Sequence, residues 1–279
     1  MTRKVGLESA VITHGLPRPT NLEVARECEA AVREAGADPA TIAIIASKVR
    51  IGLSDDELTA LAEDTAARKC SVQDIGMIVA RGERGGTTVS AMLTIAAGAG
   101  IAVASTGGIG GVHYGSFDVS ADLLQMTRSA VTLVCAGAKS ILNLPATLEV
   151  LESLGIPVIG YGTDEFPGFF YADTGLPLRH RLDTPAEVAT AVAAYRAAGY
   201  GGTILITQPP EDPLSREYVE KALAKAAETA EEAGVTGQEV TPFLLAQLAE
   251  ITEGETLAVN RELLKSNASL AAKIALAMA

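Results

Sequence analysis

The sequence predicts an α/β fold: a three-layer α-β-α arrangement around a mostly parallel central sheet, in a single domain spanning residues 1–279. Three observations predict it. Strand-like and helix-like segments alternate along almost the whole chain, as in successive β-α-β units. The run VTLVCAG (131–137) is apolar throughout, too short and too β-branched for a helix, and reads as a buried strand. No linker, repeat or low-complexity segment interrupts the alternation.

In order, LESAVITH (7–14) reads as a strand, and PRPTN as a turn into a helix over about 21–35. Val24, Ala25, Cys28 and Val32 follow helical spacing there, and Gly36 stops it. TIAIIAS (41–47) is a strand, with VRIGLS returning beside it as a hairpin. Ser54 and Glu57 form a capping-box pattern that opens the next helix. RKCS begins a strand that carries Lys69, DIGMIVAR reads as another strand, and GERGG as a loop. TTVSAMLTIAAGAG is an apolar helix buried on most sides. IAVAS (101–105) is the strand that feeds the glycine-rich segment TGGIGGVHYG. Beyond the 131–137 strand, LPATLEVLESLG is a helix ended by Gly155, and IPVIGYG a strand. FPGFFYADTG reads as a loop whose exposed aromatics mark a lid or a subunit contact. PAEVATAVAAYRAAG is a helix with Pro185 in its first turn, GTILITQPP a strand, and the segments 215–234, 242–252 and 256–279 are helices.

Composition bounds the function. Hydrophobic residues make up 48% of the chain, enough for a sizeable core. The net charge of −12 argues against a nucleic acid polymer or an anionic membrane as partner, since both need a basic surface. A small phosphorylated ligand needs only local positive groups and remains possible. The three cysteines, Cys28, Cys70 and Cys135, are an odd number, with Cys135 inside an apolar strand, which points to buried thiols in a reduced compartment. The start MTRKVGLESA lacks the apolar core of a signal peptide, and no apolar run reaches the roughly 20 residues of a membrane helix. A soluble, cytoplasmic protein is expected.

The chemistry-bearing residues concentrate between Thr106 and Lys139. A lysine just beyond a buried strand lies at the sheet edge where open α/β folds bind ligands. As a nucleophile Lys139 must be the neutral amine, which requires its pKa to fall from about 10.4 toward about 7–8. Burial and a second cation both push that way, and Lys69 is the candidate cation. The glycine run fits neither a dinucleotide fingerprint, since His113 stands where a third glycine is needed, nor a P-loop. TGGIGG either presents backbone N–H groups to an anion or simply allows a tight turn. Asp118 and Asp122 flank Ser120; they are either ligands for a hard divalent cation that retains waters, or solvated acids around a helix-capping serine. His14, His113 and His180 lack zinc-ligand spacing.

Taken in order, LESAVITHG, KCSVQD, TTV, ASTGGIGGVH, FDVSADL, VCAGAKSILNLPATLE, GYGTDEFPGFF, TPFLL and SNASLAAKIA resemble the signature segments of the pseudouridine-5′-phosphate glycosidase family. That family includes indigoidine synthase A-like proteins and C-glycosynthases of natural-product pathways. The resemblance runs from Glu8 to the last helix, with CAGAKSIL and GGIGGVH its most specific parts. It implies that Lys139 forms a Schiff base with C1′ of ring-opened ribose 5-phosphate and that Glu8 is the proton donor to the ring oxygen. It implies Asp118 as the ligand of a divalent metal, most often Mn2+, and Ser120, Ala121 and Asp122 as a substrate-contacting trio. Lys69 and Val89 match further substrate-binding positions, and Asn267 an asparagine that contacts the base. Thr87, Thr88, Thr106 and His113, within the matched TTV and STGGIGGVH segments, join the substrate-binding candidates. A homotrimer is also implied.

The chain departs from the family pattern where Tyr114-Gly115-Ser116 replaces a longer run beginning with arginine, at Ser266-Asn267 in place of two asparagines, and at GGTTV in place of GATTV. An intact catalytic set beside a changed aglycone loop leans toward a C-glycosynthase joining ribose 5-phosphate to an aromatic carbon nucleophile. The alternative is a pseudouridine-5′-phosphate glycosidase that releases uracil. A non-enzymatic sugar-phosphate-binding protein is the reading from another class, and the retention of both Glu8 and Lys139 weighs against it.

Overall fold

A computed structural model describes residues 3–115, 118–235 and 240–279. Ser116, the last residue of the altered loop, lies outside them, as does Phe117. The chain adopts the predicted α/β fold. Among the described residues the strands are β1 Lys4–Leu7, β2 Asp38–Ile45, β3 Lys48–Ile51, β4 Arg68–Cys70, β5 Gly85–Thr87, β6 Val103–Ser105, β7 Thr132–Cys135, β8 Val158–Tyr161, β9 Arg181–Leu182 and β10 Ile204–Thr207. They form one sheet in the order β4-β5-β2-β1-β6-β7-β10-β8-β9, with β3 paired to β2. All pairings are parallel except β2–β3 and β2–β5.

Strands β6, β7 and β10 are buried at every residue, which only cover on both faces can achieve. The helices supplying that cover and framing the sheet are α1 Thr20–Glu34, α2 Asp55–Glu63, α3 Ile75–Arg81, α4 Val89–Gly98, α5 Ala121–Met126, α6 Leu144–Ser153, α7 Pro185–Ala197, α8 Arg216–Glu232, α9 Val240–Ile251 and α10 Glu255–Ala277. The long α10 crosses β1, β6 and β7 and packs on α1 and α7, while α4 packs on β1, β2 and α5. The capping boxes of α2 (Ser54, Glu57) and α7 (Thr184, Glu187) are both closed. None of the described helices is long and apolar enough to cross a membrane. All three cysteines are buried free thiols.

Register decides where the chemistry goes. Leu7 pairs with Ser105, and Ser105 with Val134, so β1, β6 and β7 end side by side. Glu8, Thr106 and the segment leading to Lys139 therefore leave the sheet at the same carboxyl edge, where parallel sheets open a crevice.

Four expectations are corrected. The 7–14 run is strand only at its start; after Glu8 it turns into a π-helical turn, Val11–Gly15. Its β-branched residues favour a strand, but Ser9 breaks out of the ladder. The Ser9 hydroxyl donates to the Ile42 carbonyl (2.6 Å) and accepts from Thr87 N (2.9 Å), while its carbonyl accepts from Ile12 N and Thr13 N. DIGMIVAR is helix α3, with Ile75, Ile78 and Val79 on one face toward Ile44 and Cys70, and Gly82 ending it in the left-handed conformation. The glycine loop contains β5: a Cβ on Gly86 would sit 2.2 Å from Thr13 Oγ1, so the strand needs glycine to pass beneath the π-helical turn. The FPGFFY segment is no exposed lid. Phe166, Phe169, Phe170 and Tyr171 are all buried, and the Phe169 and Phe170 rings meet edge-on at 4.7 Å. Phe169 N is bonded to the Ala136 carbonyl (3.1 Å), which anchors the loop to the end of β7.

Candidate active site

A cavity of about 390 Å3 opens at this carboxyl edge, within the range of small-ligand pockets. Glu8, Lys69, Thr88, Val89, Thr106, His113, Asp118, Ser120, Ala121, Asp122 and Lys139 all line it. Two predicted residues do not. Thr87 is fully buried beneath it, donating to the Ile42 carbonyl (2.6 Å). Asn267, also fully buried, bonds to the backbone of Thr106 and Gly107 from behind.

Glu8 follows β1 directly, and its carboxylate is held at both oxygens. Oε2 accepts from Val11 N (3.0 Å), a donor supplied by the π-helical turn, and Oε1 accepts from the Thr106 hydroxyl (3.3 Å). Burial raises its pKa above the ordinary carboxylate range; the Lys139 charge and the Val11 N–H pull the other way, and the Asp122 charge adds to the rise. Such a carboxyl keeps its proton to higher pH and can deliver it. Lys139 is part-buried on the loop after β7, where Ala138 bridges to Ile109 and Lys139 N donates to the Ile109 carbonyl (3.2 Å). The lysine loop is thereby stitched to the middle of the glycine segment.

Asp122 is the clamp of the site. It is 5% exposed, and its oxygens accept from Ser90 N (2.8 Å) and Gly110 N (2.9 Å). One carboxylate therefore joins the first turn of α4 to the glycine segment. Ser120 caps α5 by accepting from Asp122 N (3.2 Å). A Cβ at Gly110 would lie 2.3 Å from Ser120 Oγ, so glycine there lets the segment sit on the cap. The capping reading of Ser120 is thus realised, and Asp122 is not a solvated acid.

At one end of the cavity, Lys69 and Ser71 face the start of α4, where Thr88 is the N-cap and its hydroxyl lies 3.0 Å from Ser90 Oγ. The Ser71 hydroxyl is buried and has no hydrogen-bond partner among the described residues. Lys69, the Ser71 hydroxyl and the N-terminus of α4 are the kinds of group that bind anions. The rest of the lining includes the apolar side chains of Val11, Leu142, Phe169, Pro242, Leu245 and Leu264, with the polar groups of Asn260 and Thr241. Asn260 was not foreseen from sequence, and neither were Ser71 or Gln73; only their positions inside matched segments or on the last helix pointed toward them.

Asp118 is exposed on the rim, and its carbonyl accepts from His113 N (3.0 Å). Among the described residues no three His, Cys, Asp or Glu side chains cluster as a metal cage. Asp122 already accepts a backbone N–H at each oxygen, so among the described residues Asp118 is the exposed carboxylate on the rim, and water or ligand oxygens would have to fill the rest of a cation's shell. A hard cation that keeps its waters fits such a donor set; zinc does not.

Comparison with known proteins places the chain. The model of the family described as indigoidine synthase A like protein matches residues 3–277. A pseudouridine-5′-phosphate glycosidase of Herpetosiphon aurantiacus is 51% identical, covering 98% of this chain and 92% of the relative. One of Thermus thermophilus is 48% identical over 99% of this chain and 98% of its own. Among solved structures, an indigoidine synthase A-like protein from Thermotoga maritima superposes with a TM-score of 0.92 at 39% identity, covering 98% of this chain and 91% of that one. The prealnumycin C-glycosynthase AlnA, solved with ribulose 5-phosphate, gives 0.89 at 38% identity with the same coverages.

Proposed function

The chain belongs to the indigoidine synthase A-like family, and we propose that within it this protein is a pseudouridine-5′-phosphate glycosidase, cleaving the C–C glycosidic bond to give uracil and ribose 5-phosphate. The observation that carries the reading is that Glu8 and Lys139, which follow the strands on either side of β6, line one cavity together with Lys69, Ser71 and the start of α4. The similarity to named glycosidases near 50% identity weighs for this reaction over the C-glycosynthase that the changed loop favours. The AlnA likeness keeps synthesis as the second reading, with the same machinery run toward bond formation.

In the proposed mechanism the phosphate lies against Lys69, Ser71 and the start of α4, and the base against the apolar side chains of the lining with Asn260 as its polar contact. Glu8 protonates the ribose ring oxygen as the ring opens at C1′, and the neutral Lys139 amine bonds to C1′. On bonding to C1′ the Lys139 nitrogen gives up a proton; its lone pair then forms C=N while the C–C pair departs to the base carbon, which takes up that proton. Water hydrolyses the resulting protonated imine, the proton released in this step returns to Glu8, and the free sugar aldehyde closes its ring. A divalent cation bound through Asp118 would supply positive charge against the phosphorylated ligand in an acidic protein.

Two assays test this. Pseudouridine 5′-phosphate should be turned over to uracil; no release under conditions that support ribose 5-phosphate binding would favour the synthase reading. Borohydride in the presence of ribose 5-phosphate should trap an adduct on the wild type and none on Lys139→Ala. Equal labelling of both would remove the Schiff-base assignment.

A further inference from the structure

Asn267 lies on α10 outside the cavity, and every polar atom of its amide is engaged. Nδ2 donates to the carbonyls of Thr106 (2.9 Å) and Gly107 (3.2 Å), and Oδ1 accepts from Gln208 Nε2 (2.8 Å). Gln208 follows β10; its backbone N donates to the Cys135 carbonyl (3.0 Å), and its Nε2 also donates to Ser266 Oγ (3.1 Å). Ser266 Oγ in turn donates to Glu211 Oε1 (3.3 Å). The chain of bonds thus ties the end of β10, through α10, to the two peptides that follow β6. Thr106 N is fixed on its other side by the Val134 carbonyl (3.0 Å), and its hydroxyl points to Glu8.

We infer that Gln208 and Asn267 are positioning residues that act on Glu8 through Thr106, holding the Thr106–Gly107 backbone so that the Thr106 hydroxyl reaches the carboxyl. The 3.3 Å Thr106–Glu8 bond is already longer than the usual O–H···O range. A small drift of the backbone therefore removes it, and with it a donor that favours the ionised carboxylate. The other groups acting on Glu8 are Lys139 beyond β7, Asp122 on α5, the Val11 and Ala10 N–H groups and, on α1, the Cys28 thiol. None of them is bonded to the Gln208–Asn267 pair, so their effect on Glu8 should persist when the pair is altered.

The inference rests on the proposed role of Glu8 only for its catalytic consequence. Its test is the titration of the Glu8 carboxyl by 13C NMR, assigned with Glu8→Gln, in the wild type, Thr106→Val, Asn267→Ala, Gln208→Met and the double variant Thr106→Val/Asn267→Ala. Each single change should move the Glu8 midpoint upward, and the double variant no further than Thr106→Val. In pseudouridine 5′-phosphate turnover the same variants should lose about 10-fold in kcat with KM held within about twofold, and the pH limb should shift in parallel. A Glu8 midpoint unchanged in both Asn267→Ala and Gln208→Met while Thr106→Val moves it, or shifts that simply add in the double variant, would overturn the inference. Should Asn267→Ala not fold, Gln208→Met and its double with Thr106→Val make the same comparison. A wild type that does not turn over the substrate would sink the functional reading alone, because the titration still decides the role of the pair.

Discussion

Replacing Asp122 by asparagine tests whether that residue is a clamp or only a substrate contact. In the folded protein its carboxylate accepts two backbone N–H bonds, from Ser90 at 2.8 Å and Gly110 at 2.9 Å, and it is almost fully buried. Hydrogen bonds to a charged group contribute about 1.5–3 kcal/mol each. Asparagine has the same shape but only one acceptor oxygen, so its NH2 must face one of the two donors. One charge-assisted bond is lost, the other becomes neutral, and one buried N–H is orphaned. The negative charge beside the first turn of α4 goes too, at about 0.3–1 kcal/mol. Together these amount to about 3 kcal/mol, or a fall in Tm of roughly 6–12 °C for a chain of this size. Differential scanning calorimetry without ligand measures it, and kcat should fall as well, because the glycine segment and α4 both line the cavity. An Asp122→Asn protein with wild-type Tm would refute the clamp, whatever its activity.

Other outcomes follow from the same geometry. Glu8→Gln should lose about 10²–10⁴ in kcat together with the pH limb on which activity falls as Glu8 ionises. Because burial raises the folded pKa of Glu8, the fold binds its proton more tightly than the unfolded chain does. Stability is therefore lost as pH rises from the unfolded value through the folded one. Glu8→Gln should accordingly raise Tm above that window and give little gain below it; an equal or lower Tm at pH 8 would count against the assignment of burial as the cause. Lys69→Ala should raise KM for pseudouridine 5′-phosphate by roughly 10–100-fold, as expected for one charge-assisted contact; saturation curves check this, and an unchanged KM would move the phosphate elsewhere. Asp118→Ala should abolish stoichiometric Mn2+ binding measured by equilibrium dialysis, and unchanged binding would return Asp118 to the loop it flanks.

Much of this protein is decided locally and was legible in the chain. The alternation of apolar runs with helical patterns, the buried strand within the apolar 131–137 run and the Ser54–Glu57 capping box depend on neighbours a few residues away, and each formed as read. Lys139 at a strand end and the glycine segment were visible for the same reason. What sequence could not place was anything set by contact between distant segments. The residues after Glu8 have strand propensity, yet Ser9 bonds to Ile42 and Thr87 and turns them into the helix whose Val11 N–H holds Glu8. The FPGFFY aromatics looked like an exposed lid or subunit contact, but Gly108 makes room for the Phe169 ring and Gly137 for the Pro167 carbonyl, and the rings are buried. Asp122 stood open between a cation ligand and a solvated acid, and only the fold brings backbone donors from two other elements to both its oxygens. Asn260 carried no local signal at all; the long α10 puts it on the cavity wall while turning Asn267 inward to the Thr106 backbone. Local propensity specifies the elements, but only the register of β1, β6 and β7 and the course of α10 across them bring a proton donor and an amine to one cavity.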